Sequence, residues 1–225
     1  MGIRETLTGM LRPTSVEKLR DVARVYHDAG ARFDGEGAVK PTREEYLATS
    51  DDTGVSVAVL QTIWQIESRQ LALLNGEPLK RIEGGKWVKF GGDKRDLPKP
   101  LNPGGDTPAT TITGQRVRLS NFEKLMEIDP QRAIFSTSHG GPQIMGWWAE
   151  RCGFKDALAF YTAQKMGAGM QLVAMARFIR HPKCADLRKA MIDKDVPAIS
   201  FHWNGPRYRD NAYDTKLAAG LRKFA

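Results

Sequence analysis

A mainly α domain with a small loop-rich, partly β lobe is the fold class this sequence predicts, and three observations predict it. Apolar residues recur at helical spacing from Leu119 to the C-terminus. An almost wholly apolar run over residues 55–66 keeps one helical face and ends on a carboxylate, Glu67. Between these two regions, residues 75–116 hold most of the Gly and Pro clusters, the strongest local breaks of regular structure.

The elements follow in order. Pro13-Thr14-Ser15 opens a helix whose apolar positions are Val16, Leu19, Val22, Ala23 and Tyr26, and a Gly-rich stretch over residues 30–37 ends it. Pro41-Thr42-Arg43-Glu44-Glu45 is a fresh start, with Thr42 as N-cap and Glu45 completing a capping box. We therefore divide the chain into a helical extension, residues 1–40, and a main domain, residues 41–225. The helix through Glu67 follows, then the loop-rich lobe. Trp87-Val88-Lys89-Phe90 within it reads as a short strand or a helical turn. Further helices are expected at 119–128, 131–137, 142–151, 155–163, 168–180, 184–191, 195–202 and 212–224.

Composition narrows the functions. Hydrophobic residues make up 41% and charged ones 27%, and Lys plus Arg exceed Asp plus Glu by 8. That field favours polyanionic partners, but the charge is spread, as expected of a steering property. Basic and aromatic residues lack an RNA-module pattern, so no nucleic-acid partner is expected. No apolar run reaches 18 residues and the N-terminus lacks a secretory core, so the expected product is made in the cytoplasm without a signal peptide or stable membrane insertion. Gly2 with Thr6 meets the bare myristoylation pattern, which has too few constraints to carry weight. Cys152 and Cys184 are expected as reduced core thiols. His27, His139, His181 and His202 form no i, i+4 pair, so neither a metal site nor a cofactor is expected.

Glu67 is the residue that invites chemistry. Leu60, Ile63 and Trp64 stand seven, four and three residues before it, so its carboxylate continues their stripe. A carboxylate among Ile and Trp loses hydration, which raises its pKa toward that of a general acid working near neutrality. The plainer alternative is a helix-end charge reaching solvent. Three further segments carry polar groups in suggestive settings. In Ser136-Thr137-Ser138-His139-Gly140-Gly141-Pro142-Gln143, the glycines suit close approach to a ligand, and Pro142 suits the start of a helix presenting Gln143. In His202-Trp203-Asn204-Gly205-Pro206-Arg207-Tyr208, aromatic faces and an amide suit sugars, although Asn-Gly-Pro is also an ordinary turn. Arg81-Ile82-Glu83-Gly84-Gly85 supplies a second carboxylate.

Taken together and in this order, these blocks resemble the phage-type N-acetylmuramidase endolysin family, related in motif to goose-type lysozymes and soluble lytic transglycosylases. The tail Trp203-Asn204-Gly205-Pro206-Arg207-Tyr208-Arg209-Asp210-Asn211-Ala212-Tyr213-Asp214-Thr215-Lys216-Leu217 is the longest and most specific match. Gln143-Ile144-Met145-Gly146 and Glu67-Ser68 support it, and the likeness covers roughly residues 42–225. Three departures stand out. Arg69-Gln70 replace glycines after Glu67-Ser68, Ile82-Glu83-Gly84-Gly85 lacks a His, and His139 stands where the family has Trp.

The resemblance implies an α+β lysozyme-like fold in which a helical lobe and a small β lobe form a glycan cleft. It implies hydrolysis of the β-1,4 bond from N-acetylmuramic acid to N-acetylglucosamine in peptidoglycan. Glu67 would be general acid and Glu83 the second carboxylate. Ser138, Gln143, Asn204 and Tyr208 would orient the glycan, with Trp148, or its neighbour Trp147, as stacking surface. The partner would be peptidoglycan glycan strands met by a monomer, after release through a separate pore or delivery on a particle. A lytic transglycosylase giving anhydro ends and a catalytically impaired wall-binding protein of the same fold remain open alternatives.

Overall fold

The computed structural model describes residues 38–74, 76–102 and 112–225, and the expected helix over residues 16–26 lies outside them. The described chain opens with strand β1 (Ala38–Val39), then helices α1 (Arg43–Thr53) and α2 (Val57–Ser68). The capping box starts α1 as expected: Thr42 Oγ1 accepts from Glu45 N–H at 3.2 Å, and Glu45 Oε2 accepts from Thr42 N–H at 2.7 Å. Helix α2 buries Leu60, Ile63 and Trp64 completely.

The loop-rich lobe is more ordered than its Gly and Pro content suggests. It holds β2 (Leu73–Leu74), β3 (Glu77–Pro78), β4 (Lys80–Ile82) and helix α3 (Gly84–Lys89), which resolves Trp87-Val88-Lys89 as helical. Helix α4 (Ile112–Ile128) begins seven residues before the expected start, and α5 (Pro130–Phe135) follows. Two small antiparallel sheets form, in the orders β1-β2-β3 and β4-β5-β6, with β5 at Thr137–His139 and β6 at Ile144–Met145. β1 precedes the expected boundary at Pro41, yet it pairs with β2.

One expected helix is absent. Residues 142–151 form β6 and a 3₁₀ turn, Gly146–Trp148. The chain reverses at Gly140 (φ 73°) and Gln143 (φ 53°), so Ser138 pairs with Met145 and His139 with Ile144. A left-handed Gln143 cannot open a helix, and Pro142 sits inside the hairpin turn. The remaining helices are α6 (Ala157–Gln164), α7 (Ala168–Arg180), α8 (Ala185–Asp193), α9 (Val196–Asn204) and α10 (Tyr213–Phe224), all within two residues of expectation. The described chain is thus mainly helical with small antiparallel sheets.

Two contacts hold these elements together, one between the lobes and one within the helical lobe. Gln171, fully buried on α7, accepts from Gly141 N–H at 2.7 Å. Its amide donates to Ala72 O at 3.1 Å and Gln164 O at 2.9 Å. One side chain thereby satisfies backbone groups from three segments that would otherwise be buried without partners. Gly141 lies so close to Trp64 that a Cβ there would come within 2.0 Å of the ring. The close approach the glycines permit is therefore to the core.

Behind β4, Lys80 is fully buried, donating to Glu77 Oε2 at 2.9 Å and Pro78 O at 3.1 Å. His139 lies beside it, its ring centroid 5.4–5.7 Å from those of Phe122, Phe160 and Tyr161. Burial, and then the Lys80 charge, push the His139 pKa down to about 3.

The second contact is helix on helix. A Cβ on Gly220 of α10 would stand 2.4 Å from Thr62 Cγ2 on α2, and Tyr213, two turns earlier, reaches Glu67 at the end of α2. The two helices therefore run antiparallel at a separation only glycine allows. Gly220→Ala is expected to cost about 1–3 kcal/mol in urea unfolding by overpacking, with part of it recovered by adding Thr62→Ala. For His139 the folded pKa is depressed, so its contribution is fully present above about pH 6.5 and lost as pH falls toward 3. Between pH 7 and 4 wild type is expected to lose roughly 3 kcal/mol more than His139→Phe, measured by denaturant unfolding at each pH.

Candidate active site

Glu67 closes α2 with its carboxylate half-buried, and two donors from the far end of the chain hold one oxygen. Oε1 accepts from Trp203 Nε1–H on α9 at 3.0 Å and from the Tyr213 hydroxyl on α10 at 2.7 Å. Burial raises the Glu67 pKa above the ordinary carboxylate range. The Tyr213 and Trp203 hydrogen bonds, and the positive charges of Arg81 and Lys216, oppose that rise without cancelling it. Tyr213 has its own pKa pushed well up by burial and by Glu67, so its hydroxyl stays a donor.

The turn after Glu67 explains one departure in the sequence. Arg69 (φ 54°) and Gln70 (φ 70°) are both left-handed, the conformation glycine takes without strain. Gln70 offsets this through its side chain, which accepts from the Tyr46 hydroxyl at 2.9 Å and donates to Gln61 O at 2.7 Å. The missing glycines are thus replaced by a hydrogen-bonded amide, and the end of α2 keeps its shape.

Glu83 sits at the N-terminal edge of α3, just beyond β4. Its backbone N–H donates to Ser136 O at 2.7 Å, fixing the segment against β5. Its carboxylate, partly open to solvent, pairs with Arg81 Nε at 3.2 Å. Arg81 is therefore an electrostatic neighbour of both carboxylates. No group of three or more His, Cys, Asp or Glu suited to a metal occurs among the described residues.

The other expected site residues are placed unevenly. Ser138 and Gln143 meet across the hairpin, with Ser138 Oγ donating to Gln143 Oε1 at 2.9 Å. The Gln143 amide nitrogen donates to Gly140 O at 2.6 Å, so this side chain shapes the turn rather than projecting from a helix start. Asn204 is exposed at the end of α9 and lines a groove of about 390 Å³. Tyr208 is only 7% exposed, beneath Arg209, and is not among that groove's walls.

Trp148 has no free face. The Arg151 guanidinium lies 3.5 Å from its ring centroid and Trp147 stacks on it at 3.7 Å; two groups this close must occupy opposite faces. It presents an edge to the groove, so the expected sugar-stacking surface is already covered. Trp203, Tyr213 and Arg81 were not singled out by sequence reasoning, although all three stood in the quoted segments. The available signal was the spacing of Tyr213, Leu217 and Gly220, which marks one face of α10.

Because the Tyr213 hydrogen bond lowers the Glu67 pKa, its removal must raise it. In Tyr213→Phe the Glu67 titration, followed by NMR, is expected to move upward, because a hydrogen bond to the charged form is lost.

Residues 56–225 match the N-acetylmuramidase family. Among solved structures, the crystal structure of Burkholderia AP3 phage endolysin superposes with a TM-score of 0.65 at 22% identity, covering 88% of this chain and 74% of that one. No curated protein matches the chain.

Proposed function

This chain belongs to the N-acetylmuramidase family, so it is a peptidoglycan-degrading glycoside hydrolase of the lysozyme type, and we propose that Glu67 is its general acid for cleavage of the N-acetylmuramic acid to N-acetylglucosamine bond. The observation that carries this assignment is the asymmetry of its carboxylate. Trp203 and Tyr213 both hold Oε1, leaving Oε2, which accepts no hydrogen bond among the described residues, to carry the transferable proton. Burial keeps that proton on at a pH where an exposed carboxylate would have lost it.

In the forward step Glu67 protonates the leaving glycosidic oxygen as an oxocarbenium-like centre develops on the sugar. Glu83, oriented by Arg81, activates water or steadies that centre. A carboxyl separation of roughly 6.5–9.5 Å would admit the water and invert the anomeric carbon. Asn204 is the surface amide placed to bind a sugar substituent, while Ser138 and Gln143 act by shaping the hairpin.

A second reading is favoured by one observation: Glu83 is already paired with Arg81, which leaves Glu67, of these two carboxylates, as the one in an acid's environment. In a lytic transglycosylase Glu67 would act as acid and then base, and the sugar's own hydroxyl would attack.

Clearing of permeabilised Gram-negative cells and analysis of the digest test both readings. Glu67→Gln is expected to lower the rate by about 10³-fold, within the usual range for a general acid, and equal clearing by the two proteins would refute the assignment. New reducing ends, lost in Glu83→Gln, support hydrolysis; anhydro ends that survive Glu83→Gln support the transglycosylase.

A further inference from the structure

Beside Glu67 lies a groove of whose lining the proposed glycan contacts use only Asn204. It is bounded by α3, the Gly146–Trp148 turn and helices α7, α8 and α9, and Trp203 joins it to the acid. The indole of Trp203 lines the groove while its Nε1–H holds Glu67, so an occupant of the groove sits one side chain from the reacting bond.

Three cations reach this groove, Lys86, Arg151 and Lys183, against a single carboxylate, Asp186. Among the described residues none of the three makes an ion pair. Two of them are held instead by a stack in which Arg151 lies 3.5 Å from the Trp148 ring, Trp148 lies 3.7 Å from Trp147, and Lys86 Nζ lies 4.9 Å from Trp147. Such contacts orient a cation while leaving most of its hydrogen-bond donors free; Arg151 gives one N–H to Cys184 Sγ at 3.9 Å. The same stack uses up the indole faces. What the groove offers a ligand is therefore fixed positive charge beside indole edges and the Asn204 amide, which suits an anion far better than a neutral sugar ring.

Building on the reading of the chain as a peptidoglycan hydrolase, we infer that this groove binds the free carboxylates of the short peptides that branch from the glycan strand. The enzyme then grips peptide-bearing strands more tightly than bare ones, and Lys86, Arg151 and Lys183 set that preference. Lys183 is exposed on the Pro182–Cys184 turn, where it can reach a flexible chain. Lys86 follows Glu83 by three residues and joins the groove to the small lobe.

Binding tests this separately from catalysis. Glu67→Gln protein, which should not digest its substrate, is titrated with soluble peptide-bearing glycan strands released from Gram-negative sacculi by an endopeptidase, and with the same strands stripped of their peptides by an amidase. The expected affinity ratio is roughly tenfold in favour of peptide-bearing material, the worth of about one charge-assisted hydrogen bond. Adding Lys86→Glu and Lys183→Glu should bring the ratio close to one; Lys183→Glu alone, at its exposed position, should reduce it in the same direction. Equal affinity for the two materials, or a ratio that survives charge reversal in a folded variant, overturns the inference. Failure of wild type to generate new chain ends would count against the hydrolase reading and leave the binding ratio to be judged by itself.

Discussion

The half-buried carboxylate of Glu67 is the constraint around which the structure is organised. A carboxyl group at the end of an apolar helix stripe needs hydrogen-bond partners, and the chain supplies them from 136 and 146 residues downstream. Tyr213 reaches it because α10 lies antiparallel on α2, an approach that requires Gly220 against Thr62, while Trp203 comes from α9. Glu67, its donors and the helix pair form one unit.

Polar contacts help to fix the small lobe to this unit. Gln171 joins the hairpin turn, the segment before β2 and the end of α6 through three hydrogen bonds. Lys80 and His139, both fully buried, lie behind the sheet that carries Arg81. Burying such groups is costly unless they are paired, so this arrangement specifies one register of β4 on β5. In that register Arg81 lies opposite Ser138, pairs with Glu83, and acts on Glu67 through its charge. The lobe thus places a positive charge whose effect on Glu67 opposes that of burial.

The aromatic residues divide by role. Trp203 has a polar edge committed to the acid and a ring open to the groove. Trp147 and Trp148 spend their faces on each other and on cations, holding those cations toward the groove. An indole stack beside a glycan cleft invites the expectation of sugar stacking. Here the stack is a scaffold for charge.

The sequence by itself determined the local features, because each depends on residues within a turn or two of one another. The capping box at Thr42, the stripe ending on Glu67 and the bounds of α7 all follow from spacing and capping chemistry, and the quoted motifs led to the family. Only the tertiary structure decided what those residues touch. Residues 142–151 carry a pattern compatible with a helix, yet pairing with β5 and the left-handed turn at Gly140 and Gln143 override it. Trp148 carries the composition of a sugar platform, but Arg151 and Trp147 occupy its faces. Above all, the donors that complete Glu67 lie more than a hundred residues away. Periodicity reports which face of a helix is apolar; which distant helix meets that face is fixed by packing, here by the one glycine that lets α10 come close enough.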